Sequence, residues 1–74
     1  MTTTGVTDQQ ITTQVMHQLK ANDPAVASRM LVTTHDSVVT LEGRAMTPQD
    51  ILTAKHDAEA VGGVIRVENH LRLG

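Results

Sequence analysis

The order of apolar periods predicts an α+β fold, α-β-β-α-β: a three-stranded mixed sheet with two helices packed on one face. Three observations carry it. Apolar residues four apart run through Ile11, Val15 and Leu19. A period of two follows from Met30 to Gly43, interrupted at Asp36-Ser37. A narrow stripe of Ile51, Ala54, Ala58 and Val61 then leads through Gly62-Gly63 into a second period of two ending at Leu73. Spacing near 3.6 marks one face of a helix, and spacing of two marks a half-buried strand.

Residues 1–7 read as a flexible N-terminal tail and 8–74 as a single domain. Met1 to Val6 is polar and threonine-rich and should fray. Thr7-x-x-Gln10 has the form of a capping box, and Asp8 adds negative charge to the first turn. Ile11, Val15 and Leu19, with Met16 beside them, give one apolar face over about four helical turns. Pro24 disfavours helical geometry at Asp23, so the helix stops at Asn22-Asp23-Pro24. Ala25 to Arg29 reads as a connection.

Met30 to His35 and Val38 to Gly43 read as two strands of a hairpin with Asp36-Ser37 as its loop. That loop places His35 opposite Val38, Thr34 opposite Val39, Val32 opposite Leu41 and Met30 opposite Gly43. One face is then largely apolar. Leu31, Thr33, His35, Val38, Thr40 and Glu42 take the other. Asp-Ser is a weaker turn signal than Asn-Gly, which leaves a longer loop open.

Thr47-Pro48-Gln49-Asp50 starts the second helix, with Thr as N-cap, Pro first and an acid third. Ala54 and Ala58 let this helix lie close to a sheet. Gly62-Gly63 is expected to end it as a left-handed cap. In the last strand Ile65, Val67, Asn69, Leu71 and Leu73 should pack, while Arg66, Glu68, His70 and Arg72 meet water. Asn69 interrupts the packed face, so it needs an edge position or a backbone partner. A helix joining adjacent second and third strands makes those strands parallel. The expected core is Val15, Leu19, Val32, Val39, Leu41, Ala54, Ala58, Val67 and Leu71.

Composition narrows the function. The 74 residues allow one domain with a small core. Without cysteine there is no disulfide and no thiolate metal site. Without Phe, Tyr or Trp there is no base-stacking platform and no aromatic membrane belt. Six basic and eight acidic residues give a formal charge of −2, so no whole-chain attraction to nucleic acid or anionic lipid is expected. No apolar run approaches the roughly 18 residues of a membrane span. The first residues lack the basic and apolar parts of a signal peptide, so a full-length chain of this sequence would be cytoplasmic.

Several residues together resemble the BON domain family. Asp8, Ile11, Val15 and Leu19 match in the first helix. Val39, Leu41 and Gly43 match in the second strand, and Gly63-Val64-x-x-Val67-x-Asn69-x-Leu71 closes the pattern. The match runs from Asp8 to Leu73 in a single copy. The resemblance implies the same α-β-β-α-β architecture and a non-enzymatic binding module. It also implies association with phospholipid head groups or an envelope protein, in the periplasm or cell envelope. None of the family's motif residues is catalytic, and no cofactor is implied. Some relatives bind potassium, so a potassium-binding domain is a further alternative for this chain, with main-chain carbonyls as ligands.

The candidate binding site lies on the last strand. Arg66, His70 and Arg72 share its outer face and are the candidate lipid- or partner-binding set. Glu68 interleaves with them and offsets charge. Gly43, Gly63 and Asn69 are structural motif positions. His17, His35, His56 and His70 lie on four different elements, and no metal set is assigned. Asp57 and Glu59 diverge on a helix, and no nucleophile-base pair can be assembled, so no catalysis is expected. The second reading is a protein-interaction module, or a weak homo-oligomer, through the exposed sheet face or a free edge.

Overall fold

The computed structural model describes residues 7–74, so the fraying expected of Met1 to Val6 falls outside the described residues. Helix α1 spans Asp8–Asn22, α2 Pro24–Ala27 and α3 Pro48–Glu59. Strand β1 spans Met30–His35, β2 Val38–Ala45 and β3 Arg66–Leu73. The main elements keep the order that the periodicities predict, with one short helix added.

The start of α1 is the capping box. Thr7 Oγ1 accepts from the Gln10 N–H at 3.1 Å, and Gln10 Oε1 accepts from the Thr7 N–H at 3.0 Å. Its buried face is Ile11, Val15 and Leu19. The helix stops at Asn22, but Pro24–Ala27 is a turn of helix rather than a plain connection. Asp23 caps α2, its side chain accepting from the Val26 N–H at 3.3 Å, with Pro24 at the helix start. This single turn brings Val26 and Ala27 into the core.

The hairpin has the expected two-residue loop and register, from His35 opposite Val38 to Met30 opposite Gly43. Both loop residues have positive φ, 50° at Asp36 and 66° at Ser37. Such primed turns favour glycine or asparagine, because a Cβ is strained there. Asp8 supplies the compensation. Its Oδ2 accepts from the Asp36 N–H and its Oδ1 from the Ser37 N–H, each at 2.9 Å. The acid expected to serve the α1 dipole thus also clamps a distant turn.

Strand β2 runs past Gly43 to Ala45, two residues beyond the expected end. It is the central strand, antiparallel to β1 and parallel to β3. Gly43 has φ +125°, and a Cβ there would stand 2.2 Å from the Arg29 carbonyl oxygen. Only glycine fits that approach.

Thr47 starts α3, its Oγ1 accepting from the Asp50 N–H at 3.1 Å. The helix ends earlier than expected, at Glu59, with Ala60 as a right-handed cap. Gly63 does take a positive φ, 96°, but not as a helix cap. It sits third in a turn closed by the Val64 N–H on the Val61 carbonyl at 3.3 Å. Positive φ at that place is a turn requirement. The same turn alters which side chain enters the core. Val64 packs against it, whereas Ile65, expected on the packed face, is 74% exposed.

All three helices share one core cluster with the inner sheet face. The α1 helix lies over β1, and α3 lies over β2 and β3. Of the expected core, Leu71 alone falls short: it is half-buried at the core's margin. Ile11, Val26, Ala27, Met30 and Ala45 are buried as well. Asn69 satisfies both expectations for it. On edge strand β3, its Nδ2 donates to the Ile51 carbonyl at 3.3 Å, and its Oδ1 accepts from the Leu71 N–H at 3.1 Å. It therefore ties α3 to the strand and occupies a donor on that strand.

Candidate functional site

With the helices on one face, the other face of the sheet is open among the described residues. Its side chains stack in rows across the strands. His35, Val38 and Arg66 form the first row, and Thr33, Thr40 and Glu68 the second. Leu31, Glu42 and His70 form the third. A fourth row lies at the far end: Arg44 pairs with Arg72, and the Arg44 N–H donates to the Arg29 carbonyl at 3.4 Å. Arg29 thereby continues the β1–β2 register by one residue.

Arg66, His70 and Arg72 are all exposed on this face, but their surroundings differ. Arg66 Nη2 lies 2.8 Å from Glu68 Oε2. His70 Nε2 lies 3.7 Å from Glu68 Oε1. Glu68 therefore faces both side chains and offsets the charge of Arg66. Arg72 forms no ion pair among the described residues and stands beside a second arginine. Arg29 and Arg44 are functional candidates that sequence reasoning missed. The signal was present: carried past Gly43, the period of two sends Arg44 outward and Ala45 inward.

Three of the chain's six Lys and Arg residues thus meet in one row, although the chain as a whole is negative. Neighbouring strands lie about 4.8 Å apart, so the three side chains rise from a strip roughly 10 Å wide. Arg44 leans toward the end of β3: a Cβ added at Gly74 would stand 2.8 Å from its Nη1. Arg29 Nη1 donates to Met46 Sδ at 3.5 Å. Apolar side chains flank the row, with Leu31 59% and Met46 65% exposed. Like charges on facing positions weaken a sheet, so the row is no aid to stability.

The remaining chemistry is sparse. His17 and His56 are exposed on their helices. Asp8, His35 and Asp36 each bring a ligand atom to within 4.8 Å of the others. Both Asp8 oxygens there already accept turn N–H groups. An open groove of about 720 Å³ runs beside α1 between Gln10, Gln14, Gln18 and the Val61-Gly62 turn. Its lining carries no titratable side chain. Among the described residues no helix is long and apolar enough to cross a membrane.

Among the described residues, two helices and a turn of helix on one side of a mixed three-stranded sheet define a small α+β domain with one face left open. The profile of the BON domain family matches residues 7–74, and the chain belongs to that family, whose members are generally non-catalytic binding modules. No curated protein matches the chain.

Proposed function

We propose that this chain is a non-enzymatic module that associates with phospholipid at the cell envelope, in the periplasm or on its bounding membranes. The open sheet face is the contact surface. The observation that carries this reading is the gathering of arginines that, among the described residues, have no ion pair and lie on a face no helix covers. A net charge of −2 makes whole-chain attraction to an anionic surface unfavourable, so contact must be local and oriented. Leu31 and Met46 add apolar side chains that can enter the head-group boundary beside the charges. The expected association is transient, because about 1 kcal/mol per basic residue near an anionic surface does not anchor a protein.

Co-sedimentation with vesicles tests this. Binding to anionic vesicles at low salt, falling as salt is raised, is expected, with none to neutral vesicles. Absence of binding to any vesicle at any salt would favour the second reading, a protein-interaction module. That reading draws on exposed Leu31 and on the outer edge of β1, a strand that pairs with β2 alone among the described residues.

A further inference from the structure

We propose that the Arg29–Arg44–Arg72 row is a phosphate site, and that its ligand is the phosphate of a membrane lipid with a phosphomonoester head. The inference rests on the lipid-binding reading and narrows it to named residues and one head-group chemistry. Three features carry it. The row holds half of the chain's Lys and Arg residues, and no carboxylate pairs with any of the three among the described residues. Guanidinium groups present forked donors that match phosphate oxygens two at a time, which ammonium groups do not. A dianionic head group set between neighbouring arginines relieves their mutual repulsion, so binding offsets a cost already present in the free domain. The flanking Leu31 and Met46 favour a lipid over a soluble phosphate compound, because exposed apolar side chains gain only where an apolar phase adjoins the charge. Arg66 and His70 are not part of this site. Glu68 stands next to both, and Arg66 is three rows away.

The experiment compares wild type with three variants on phosphatidylcholine vesicles carrying either phosphatidic acid or phosphatidylglycerol at equal surface charge. The variants are Arg29→Gln/Arg44→Gln/Arg72→Gln, the same three positions changed to Lys, and Arg66→Gln. At about 1 kcal/mol per charge, each neutralisation weakens binding about fivefold, and three together about a hundredfold. The Gln triple should lose binding on that scale while remaining folded, with a melting temperature equal to or above wild type. The Lys triple should keep binding to phosphatidylglycerol but lose the preference for phosphatidic acid. Arg66→Gln should bind within about twofold of wild type.

Failure of wild type to bind either vesicle overturns the lipid reading itself. Wild-type binding that survives in the Gln triple leaves that reading standing and overturns this site. A Lys triple that still prefers phosphatidic acid overturns the guanidinium-phosphate contact. A Gln triple that melts well below wild type shows the row to be structural, and overturns the proposal. Calorimetry with inorganic phosphate gives the remaining arm: uptake by wild type, lost in the Gln triple and unaccompanied by vesicle binding, overturns the lipid as ligand.

Discussion

Replacing Asp8 by Ala removes two hydrogen bonds at once, both to backbone N–H groups of a turn that lacks glycine. The bonds to Asp36 and Ser37 are each 2.9 Å long and end on an ionised carboxylate. Charge-assisted bonds contribute about 1.5–3 kcal/mol each when shielded. The Asp36 contact is exposed and the Ser37 contact only part-buried, so about 1 kcal/mol apiece is the better figure for amides that water can reclaim. Loss of negative charge from the first turn of α1 adds a further 0.3–1 kcal/mol or so. The expected cost is therefore about 2–3 kcal/mol, a large share of what a domain this small can hold. Asp8→Asn, which keeps one acceptor, should cost about half as much. Ser37→Gly should recover about 1 kcal/mol by removing the strained Cβ at φ 66°. The chain has no aromatic residue, so urea unfolding is followed by far-ultraviolet circular dichroism rather than fluorescence. An Asp8→Ala midpoint that gives less than about 0.5 kcal/mol would be an ordinary surface effect and would refute the clamp.

Other substitutions test the same framework. Gly43→Ala should cost at least about 2 kcal/mol or prevent folding, since the new Cβ meets the Arg29 carbonyl; wild-type stability would contradict the close approach. Gly63→Ala should cost about 1 kcal/mol by thermal melting, and no loss would mean the turn tolerates a side chain at φ 96°. Leu41→Ala empties a fully buried position and should cost roughly 2–5 kcal/mol in chemical denaturation. Asn69→Ala should cost about 1–2 kcal/mol and speed amide exchange at Leu71, whose N–H loses its acceptor; unchanged exchange would dissociate Asn69 from that donor.

The hairpin was legible because period and turn agree. Once two residues close the loop, every pair from His35–Val38 to Met30–Gly43 comes from counting, and the burial of alternate residues has to match. The capping residues Thr7 and Thr47 were legible for the same local reason. The helix at Pro24–Ala27 carried that same signal, an acid followed by proline, but its four residues are too few to show a period. Contacts that join distant parts left no local trace. Asp8 reads as a helix-start acid, and only the folded chain brings it to the hairpin loop. The end of α3 was misplaced because Ala60 continues a good helical sequence, and the glycines mark the next turn instead. That turn exposed Ile65 and admitted Val64, an outcome no strict alternation predicts. On the outer face, alternation correctly sent Arg66, His70 and Arg72 outward. It did not disclose that Glu68 faces two of them, nor that the third lies in register with Arg44 and Arg29.

Contact through the open sheet face is the central claim, and amide chemical-shift mapping addresses that face directly. Nitrogen-15-labelled protein is titrated with anionic and with neutral lipid discs at low salt. Shifts are expected from anionic discs alone, concentrated at Arg29, Leu31, Arg44, Met46 and Arg72, with the amides of α1 and α3 little changed. Shifts centred on the α1 groove at Gln14 and Gln18, or equal shifts with neutral discs, would contradict it.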